Sequence, residues 1–535
     1  MSIDSAQVIA IRHTGYNGSA CRRERHLTLY PGTSPASIPF WWRALFPLLL
    51  ASLFASMHLD ALAFNRDEPD ALFPAGIYAS SPGTPGEAWR YMEENHASQA
   101  RGWTLLLFTW GDLVGWSEPA IRSLSFLAGL LTIAWLYRAG HDLFAPRAGL
   151  FASILASASL FFLSYMLIAR AFTLVALLTT LVLWSYWRLV IARRQSGPAT
   201  LGFFLAGCVG LLYSHFFTAL ILPPLVLFHL LLAPRGKRWW QVIAALTAAA
   251  VLALAQVRGF LNGPSLFTSN QATGKAALDA AEIPHHFLYY MSNLTLRLPD
   301  PAGAVLLLLL IPALPGTAWR RHRAGRRVDA AWLLTFLAGS TFLLMVAANE
   351  VVDVITGGRI RYMLSLFPLL ALLTGEALRS IRVESRLAVG GFLAFWLVLG
   401  PTLLNSGPSL YVDRYHSTFH LVQRWLQERA VAGDLVVLDS SLMKRGGVLY
   451  LHPQYIPLSD QPWETVFPDR DDPLEWTAPG DSTFSNLWVV HQKDDPDVVS
   501  APFMAPDYML CQRVYDLAGF TLYRFTKTAA VCSDA

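Results

Sequence analysis

Asp67 and Glu68 stand side by side in Phe64-Asn65-Arg66-Asp67-Glu68-Pro69-Asp70, directly after the first long apolar run of the chain. A carboxylate held against a partly dehydrated surface can be tuned toward general-base work, taking the proton of a hydroxyl as that hydroxyl attacks. Adjacent side chains diverge, and Glu68 precedes Pro69, which biases it toward extended backbone; one carboxylate is therefore expected to face the reacting atom, Asp67 ahead of Glu68. The plainer reading is a pair of solvated loop acids. Arg122, Arg170 and Arg361 each fall near the end of an apolar run, and the planar guanidinium fork suits phosphate oxygens. Their plainer reading is snorkelling to lipid headgroups. Tyr213 and His215, in Tyr213-Ser214-His215-Phe216-Phe217, offer polar contacts at another turn, or simple capping and packing. Glu93-Glu94, Asp112 and Glu118 read as solvated charges. His285-His286 lacks the partner spacing of a metal site and reads as an ordinary loop.

These residues must be positioned by membrane-spanning helices. The 535 residues are 54% hydrophobic and only 15% charged, with mean hydropathy +0.39, too apolar for one water-soluble globule. Apolar stretches of roughly 17 to 23 residues recur, each able to cross a hydrocarbon core about 30 Å thick. About eleven spans are expected by that criterion, near 41–60, 119–138, 148–166, 171–191, 199–214, 216–233, 239–257, 302–318, 330–348, 360–378 and 386–404.

Loops rich in Lys and Arg stay cytoplasmic. Arg22-Arg23-Arg25, Arg193-Arg194, Arg235/Lys237/Arg238, Arg320-Arg321-Arg323 with Arg326-Arg327, and Arg379/Arg382/Arg386 all fall on one side of the expected spans. Residues 1–40 then form a cytoplasmic tail, which reads as an uncleaved basic anchor rather than a twin-arginine signal. Residues 41–404 form the transmembrane domain, with a large external loop at 61–118 and another external loop at 258–301. Asp67 and Glu68 fall outside the cytoplasm. Within the first external loop, the stretch 102–110 is apolar but too short to span, and is expected along the interface with Trp103, Trp110 and Trp116. The net charge of +4 follows from the cytoplasmic arginine bias, so no nucleic-acid partner is implied.

After Asn405 the apolar runs shorten. Residues 405–535 read as a soluble extracytoplasmic α/β domain, with a helix over 417–430, a buried strand at 435–438 and further strands near 487–490 and 520–525. It carries no phosphate loop, metal spacing or nucleophile elbow, and reads as an accessory or acceptor-binding part. Cys511 and Cys532 both lie in it, where a disulfide is permitted.

Several stretches together resemble the bacterial GT-C class of membrane glycosyltransferases, relatives of the dolichyl-phosphate-mannose protein mannosyltransferases. The likeness covers roughly 41–380. It rests on Asp67-Glu68 after the first helix, on Ser117–Ile133 entered through Arg122, and on Ser164–Leu174 with Arg170 before an aromatic residue. Tyr213-Ser214-His215 and Arg361-Tyr362 with Leu366-Phe367-Pro368 complete the set. Relatives usually carry His-Pro-Pro-Leu-Tyr where this chain reads Gln99-Ala100-Arg101-Gly102-Trp103, so His96 or Arg101 would have to substitute there. The resemblance implies a GT-C fold and inverting transfer of a sugar from a polyprenyl-phosphate donor to a hydroxyl of a lipid, glycan or protein acceptor. It places this at the outer face of a bacterial inner membrane, with Asp67 as base. It further implies substrate-binding roles for Arg170, Arg122, His215, Tyr213, Arg361, His96 and Arg101. Some members of the class use a divalent metal and others do not; the residues here leave that open.

Two other classes stand beside this one. A transporter or flippase would show matched repeats with broken helices in two halves, and Pro223-Pro224 has no counterpart. A binding scaffold would leave Asp67, Glu68 and Arg170 replaceable. An oligosaccharide ligase or polymerase remains open within the transferases.

Overall fold

The computed structural model describes residues 40–59, 64, 68–77, 84–95, 101–192, 197–262, 278–291, 329–352, 355, 357–380, 390–391, 394, 397–398, 419–438, 461–466, 484–492, 508–517 and 520–527. Residues 41–535 cluster as one compact unit. Asp67, His96, the expected span at 302–318 and most of that at 386–404 lie outside the described residues.

The helices are α1 Phe40–Ser56, α2 Pro69–Ala75, α3 Pro85–Asn95, α4 Arg101–Val114, α5 Glu118–Leu143, α6 Pro146–Ala158, α7 Leu160–Met166 and α8 Phe172–Tyr186. They continue as α9 Pro198–Ser214, α10 Leu222–Leu232, α11 Lys237–Leu252, α12 Leu254–Asn262, α13 Glu282–Met291, α14 Ala330–Val352, α15 Phe367–Ser380 and α16 Phe419–Gln427. Among the described residues four helices, over 118–143, 172–191, 330–350 and 359–380, are long and apolar enough to cross a membrane. The pair α6 and α7 makes a fifth if counted as one span bent by 65°. The bend falls at Ser159, whose hydroxyl accepts from Phe162 N at 3.3 Å and so restarts the helix in a new direction. The expected spans at 41–60, 199–214 and 216–233 appear as shorter apolar helices.

Glycine sets how closely these helices approach. A Cβ at Gly140 would lie 2.5 Å from Gly149 Cα, and one at Gly375 would collide with the Ala148 carbonyl. Helices α5, α6 and α15 thus meet backbone to backbone, as small residues permit between membrane helices. Helix α5 is tied at its far end by Asp142, whose carboxylate accepts from Trp184 Nε1 at 2.9 Å and Arg138 Nε at 3.1 Å, with Arg188 at 3.7 Å. A π-helical turn, Trp187–Ile191, continues α8 and carries that Arg188.

The segment 61–118, expected as a large external loop, is helical over most of its described residues. It contains α2, α3 and α4, and α4 buries Arg101, Trp103, Thr104, Leu107, Phe108 and Gly111. One face of the 102–110 stretch is therefore protein core while Leu106 on the other stays exposed, and Trp110 Nε1 donates to Ala120 O at 3.0 Å. Helix α13 likewise contains His285 and His286, where a loop is expected.

Beyond the helices, β1 Leu435–Leu438, β2 Glu464–Val466, β3 Asn486–Gln492, β4 Met509–Leu517 and β5 Phe520–Thr526 form one mixed sheet in the order β2-β1-β3-β5-β4. Strand β1 runs parallel to β2 and β3, while β5 is antiparallel to β3 and β4. The helix and three of these strands match expectation; β2 and β4 are additional. Buried Asp434 enters β1 by accepting from Asn486 Nδ2 at 2.7 Å and Trp488 Nε1 at 2.8 Å, which satisfies a carboxylate that would otherwise be costly to bury. A single apolar cluster joins Phe64, Leu72, Trp103 and Leu107 to Trp463, Trp488 and Phe520. The 61–118 helices and the sheet thus share one core and lie at the same end of the helical bundle.

Candidate functional site

Glu68 is completely buried. Arg122 Nε donates to its Oε1 at 3.0 Å and Nη2 to its Oε2 at 2.9 Å, while Ala169 N donates to Oε1 at 2.8 Å. The remaining fork nitrogen of Arg122 donates to Leu59 O at 3.0 Å, and the guanidinium lies 5.4 Å from the Phe64 ring centroid. One bidentate pair thus ties the entry to α2, the first turn of α5 and the turn between α7 and α8. Glu68 takes helical backbone, φ −69° and ψ −42°, instead of the extended form expected before Pro69. Its carbonyl accepts from Ala71 N and Leu72 N at 2.9 and 3.0 Å, and these bonds together with the Arg122 fork outweigh the pre-proline preference. Two expectations change accordingly. Arg122 spends its fork on Glu68 and Leu59 instead of a phosphate, and the oxygens of Glu68 already accept three donors, which suits an anchor better than a base.

The turn fixed by Glu68 carries Arg170. Ser125 Oγ donates to Arg170 O at 3.2 Å, and Thr173 Oγ1 returns a bond to Ser125 O at 2.8 Å, so α5 and the start of α8 are stitched beside it. Arg361 approaches from a 3-10 helix, Gly357–Leu366, unusually long for that geometry. Its guanidinium carbon lies 5.8 Å from the ring centroids of both Phe172 and Tyr362. His215, the residue that ends α9, completes the group, with its ring centroid 4.5 Å from Tyr362 and 5.9 Å from Phe172. It falls between two apolar helices rather than within one. Burial, then the positive charges of Arg170 and Arg361, push its pKa down from 6.5 to about 3, so the imidazole is neutral. Among the described residues its buried Nδ1 has no hydrogen-bond partner.

Two residues earlier in α9, Tyr213 donates its hydroxyl to Leu252 O at 2.7 Å and sets its ring 6.2 Å from Trp89. Gly102 lies flush against it: a Cβ there would sit 2.7 Å from both Tyr213 Cβ and Tyr213 O. Beside them Arg101 is buried, its guanidinium carbon 4.9 Å from the Trp89 ring centroid and its backbone N donating to Gln256 Oε1 at 3.2 Å.

Of the expected site residues, the structure gathers Arg170, Arg361 and His215 into one group, pairs Glu68 with Arg122, and puts Tyr213 with Arg101. Asp67 immediately precedes the anchored Glu68. Trp89 and Gln256 are not among the residues the sequence singles out, and Tyr362 stands there only as the neighbour of Arg361. Gln256 carries a readable signal, a lone amide in an apolar run; Trp89 has none. Among the described residues no three of His, Cys, Asp and Glu come together in a way that could hold a metal ion.

Residues 100–261 match the family model described as dolichyl-phosphate-mannose-protein mannosyltransferase. No curated protein matches the chain. Among solved structures, ArnT from Cupriavidus metallidurans bound to undecaprenyl phosphate is similar over 92% of this chain and 99% of its own, with TM-score 0.58 and 13% identity. Its apo form gives 92%, 98%, 0.57 and 12%. At these identities the likeness establishes the fold.

Proposed function

We propose, from the premise that this chain has the fold of the ArnT-like GT-C membrane glycosyltransferases, that it transfers a sugar from a polyprenyl-phosphate donor to an acceptor hydroxyl. The observation that carries this reading is the group of Arg361 and neutral His215 against Phe172 and Tyr362, with the charge of Arg170 near enough to act on His215. Two fixed cations and an uncharged imidazole, walled by aromatic rings, suit a phosphate whose negative charge grows as the sugar departs. ArnT, the similar structure, was solved with undecaprenyl phosphate bound, which supports the same class of donor here.

In the reaction, the acceptor oxygen forms a bond to the anomeric carbon as the bond from that carbon to the phosphate oxygen breaks. The electron pair leaves with the lipid phosphate, and the base takes the hydroxyl proton. A single displacement inverts the anomeric centre. Asp67 is assigned as the base. Glu68 and Arg122 are assigned to position it: their pair pins the residue next to Asp67 against the turn bearing Arg170, which supports one scaffold for base and phosphate holders. The lipid phosphate leaves readily once its charge is matched, so no dedicated acid is assigned.

The site is assigned to the extracytoplasmic face of a bacterial inner membrane, with the N-terminus in the cytoplasm. Cys511, in the sheet that shares a core with the 61–118 helices, is disulfide-bonded, which supports an oxidising compartment for that end. The test is incubation of purified protein with radiolabelled polyprenyl-phosphate sugars and membrane acceptors. Transfer from at least one donor, falling about 100-fold in Arg170→Ala, is expected; lipid movement between leaflets without transfer from any donor would contradict it.

A further inference from the structure

Arg101 has a feature that the reaction above does not use. Its side chain is 1% exposed, and among the described residues Nε, Nη1 and Nη2 are all buried without a hydrogen-bond partner. Among the described residues the nearest opposite charge is Glu93 Oε1, 3.6 Å from Nη1, on a side chain that is 59% exposed and so largely screened by solvent. A fork of five donors sealed from water with no acceptor is an unfavourable arrangement for a chain to retain. The stable complement is an oxyanion lying in the guanidinium plane.

The surroundings are built to hold that fork still. One face of the guanidinium rests on Trp89 at 4.9 Å, and Trp89 in turn lies against Tyr213. The backbone N of Arg101 is bonded to Gln256, itself fully buried, and Gly102 locks the start of α4 onto Tyr213. Arg101 also opens α4, whose first backbone N–H groups add partial positive charge. None of the residues around Arg101 belongs to the Arg170, Arg361 and His215 group. The two groups nonetheless meet through α9, since Tyr213 and His215 are two residues apart and within about 7 Å along the chain.

Resting on the glycosyl-transfer reading, we propose that Arg101 receives a second oxyanion, a carboxylate or phosphate borne by the transferred sugar or by the acceptor, separate from the donor's lipid phosphate. The site would select charged substrates.

The experiment uses the purified full chain with its donor site saturated by undecaprenyl phosphate, then titrates inorganic phosphate. Arg101→Gln should weaken phosphate binding at least tenfold while leaving the affinity for undecaprenyl phosphate within twofold. A tenfold loss for undecaprenyl phosphate itself would overturn the proposal by moving Arg101 into the donor site, and unchanged binding of both would overturn it outright. Because the buried fork makes no hydrogen bond, Arg101→Met should unfold at or above the wild-type temperature without anion. A lower unfolding temperature combined with unchanged phosphate binding would mark Arg101 as structural. Transfer assays then separate the sources, pairing donors with neutral and uronic sugars, and phosphorylated with dephosphorylated acceptors. In Arg101→Gln, kcat/KM should fall at least tenfold for the charged member of one pair, and an equal loss for charged and neutral members of both pairs would contradict the proposal. If the wild type neither transfers sugar nor binds undecaprenyl phosphate, the transfer reading fails, while the phosphate titration still reports on Arg101.

Discussion

Beside the proposed base Asp67, Glu68 is buried in an ion pair with Arg122. Removing one partner of such a pair strands the other charge, at about 3–5 kcal/mol, whereas replacing both with apolar residues often recovers stability. Glu68→Gln and Arg122→Met are each expected to lower the unfolding temperature, and Glu68→Leu with Arg122→Met to regain part of it; a double variant as unstable as the sum of the singles would contradict the pairing. Asp67→Asn is expected to fold normally, bind donor within twofold and lose about 100-fold or more in transfer rate. His215 adds a pH signature. Its folded pKa of about 3 lies below the ordinary 6.5, so between these values the unfolded chain binds the extra proton. Its contribution is complete above about pH 6.5 and is lost as pH falls toward 3, with a slope near 1.4 kcal/mol per pH unit. His215→Phe should flatten that part of the acid-unfolding profile, and an unchanged profile would show the ring to be solvated. Arg170, His215 and Arg361 were legible in the sequence as polar residues at turns of one face. The pairing of Glu68 with Arg122 was not, because the partners are 54 residues apart and the proline after Glu68 argued for different backbone.

At the scale of elements, the site depends on helices that approach through glycine. Gly375→Leu would drive a side chain into the Ala148 carbonyl and the Ala152 backbone, and such overpacking costs about 1–3 kcal/mol or more. Because α15 follows directly from the 3-10 helix bearing Arg361, this variant is expected to lose donor affinity as well as stability; normal donor binding would show that the 3-10 helix is held independently of that contact. The apolar runs made α5, α8 and α14 legible, since length and hydropathy alone define a span. The 61–118 segment was opaque for the converse reason. Its helices are short, and α4 buries Trp103 and Leu107 against partners distant in sequence, which no local pattern records. Strand β2 is only three residues long, too short for alternation to show.

Across the whole molecule, the two ends of α5 have different jobs. Asp142 gathers Arg138, Arg188 and Trp184 at one end, while Glu68, Arg122 and the Arg170 turn occupy the other, in line with the sheet and the 61–118 helices. This arrangement predicts that a cysteine at exposed Val431 is labelled by an impermeant maleimide in intact cells, while one at Gly236 requires permeabilisation; the opposite pattern would place the site in the cytoplasm. The central claim is that Arg170 and Arg361 hold the donor's phosphate, and the dissociation constant of undecaprenyl phosphate tests it most directly. The double variant Arg170→Ala with Arg361→Ala is predicted to bind at least about 100-fold more weakly than the wild type, each charged contact contributing about 1.5–3 kcal/mol. Binding within twofold of wild type by a correctly folded double variant would contradict the account.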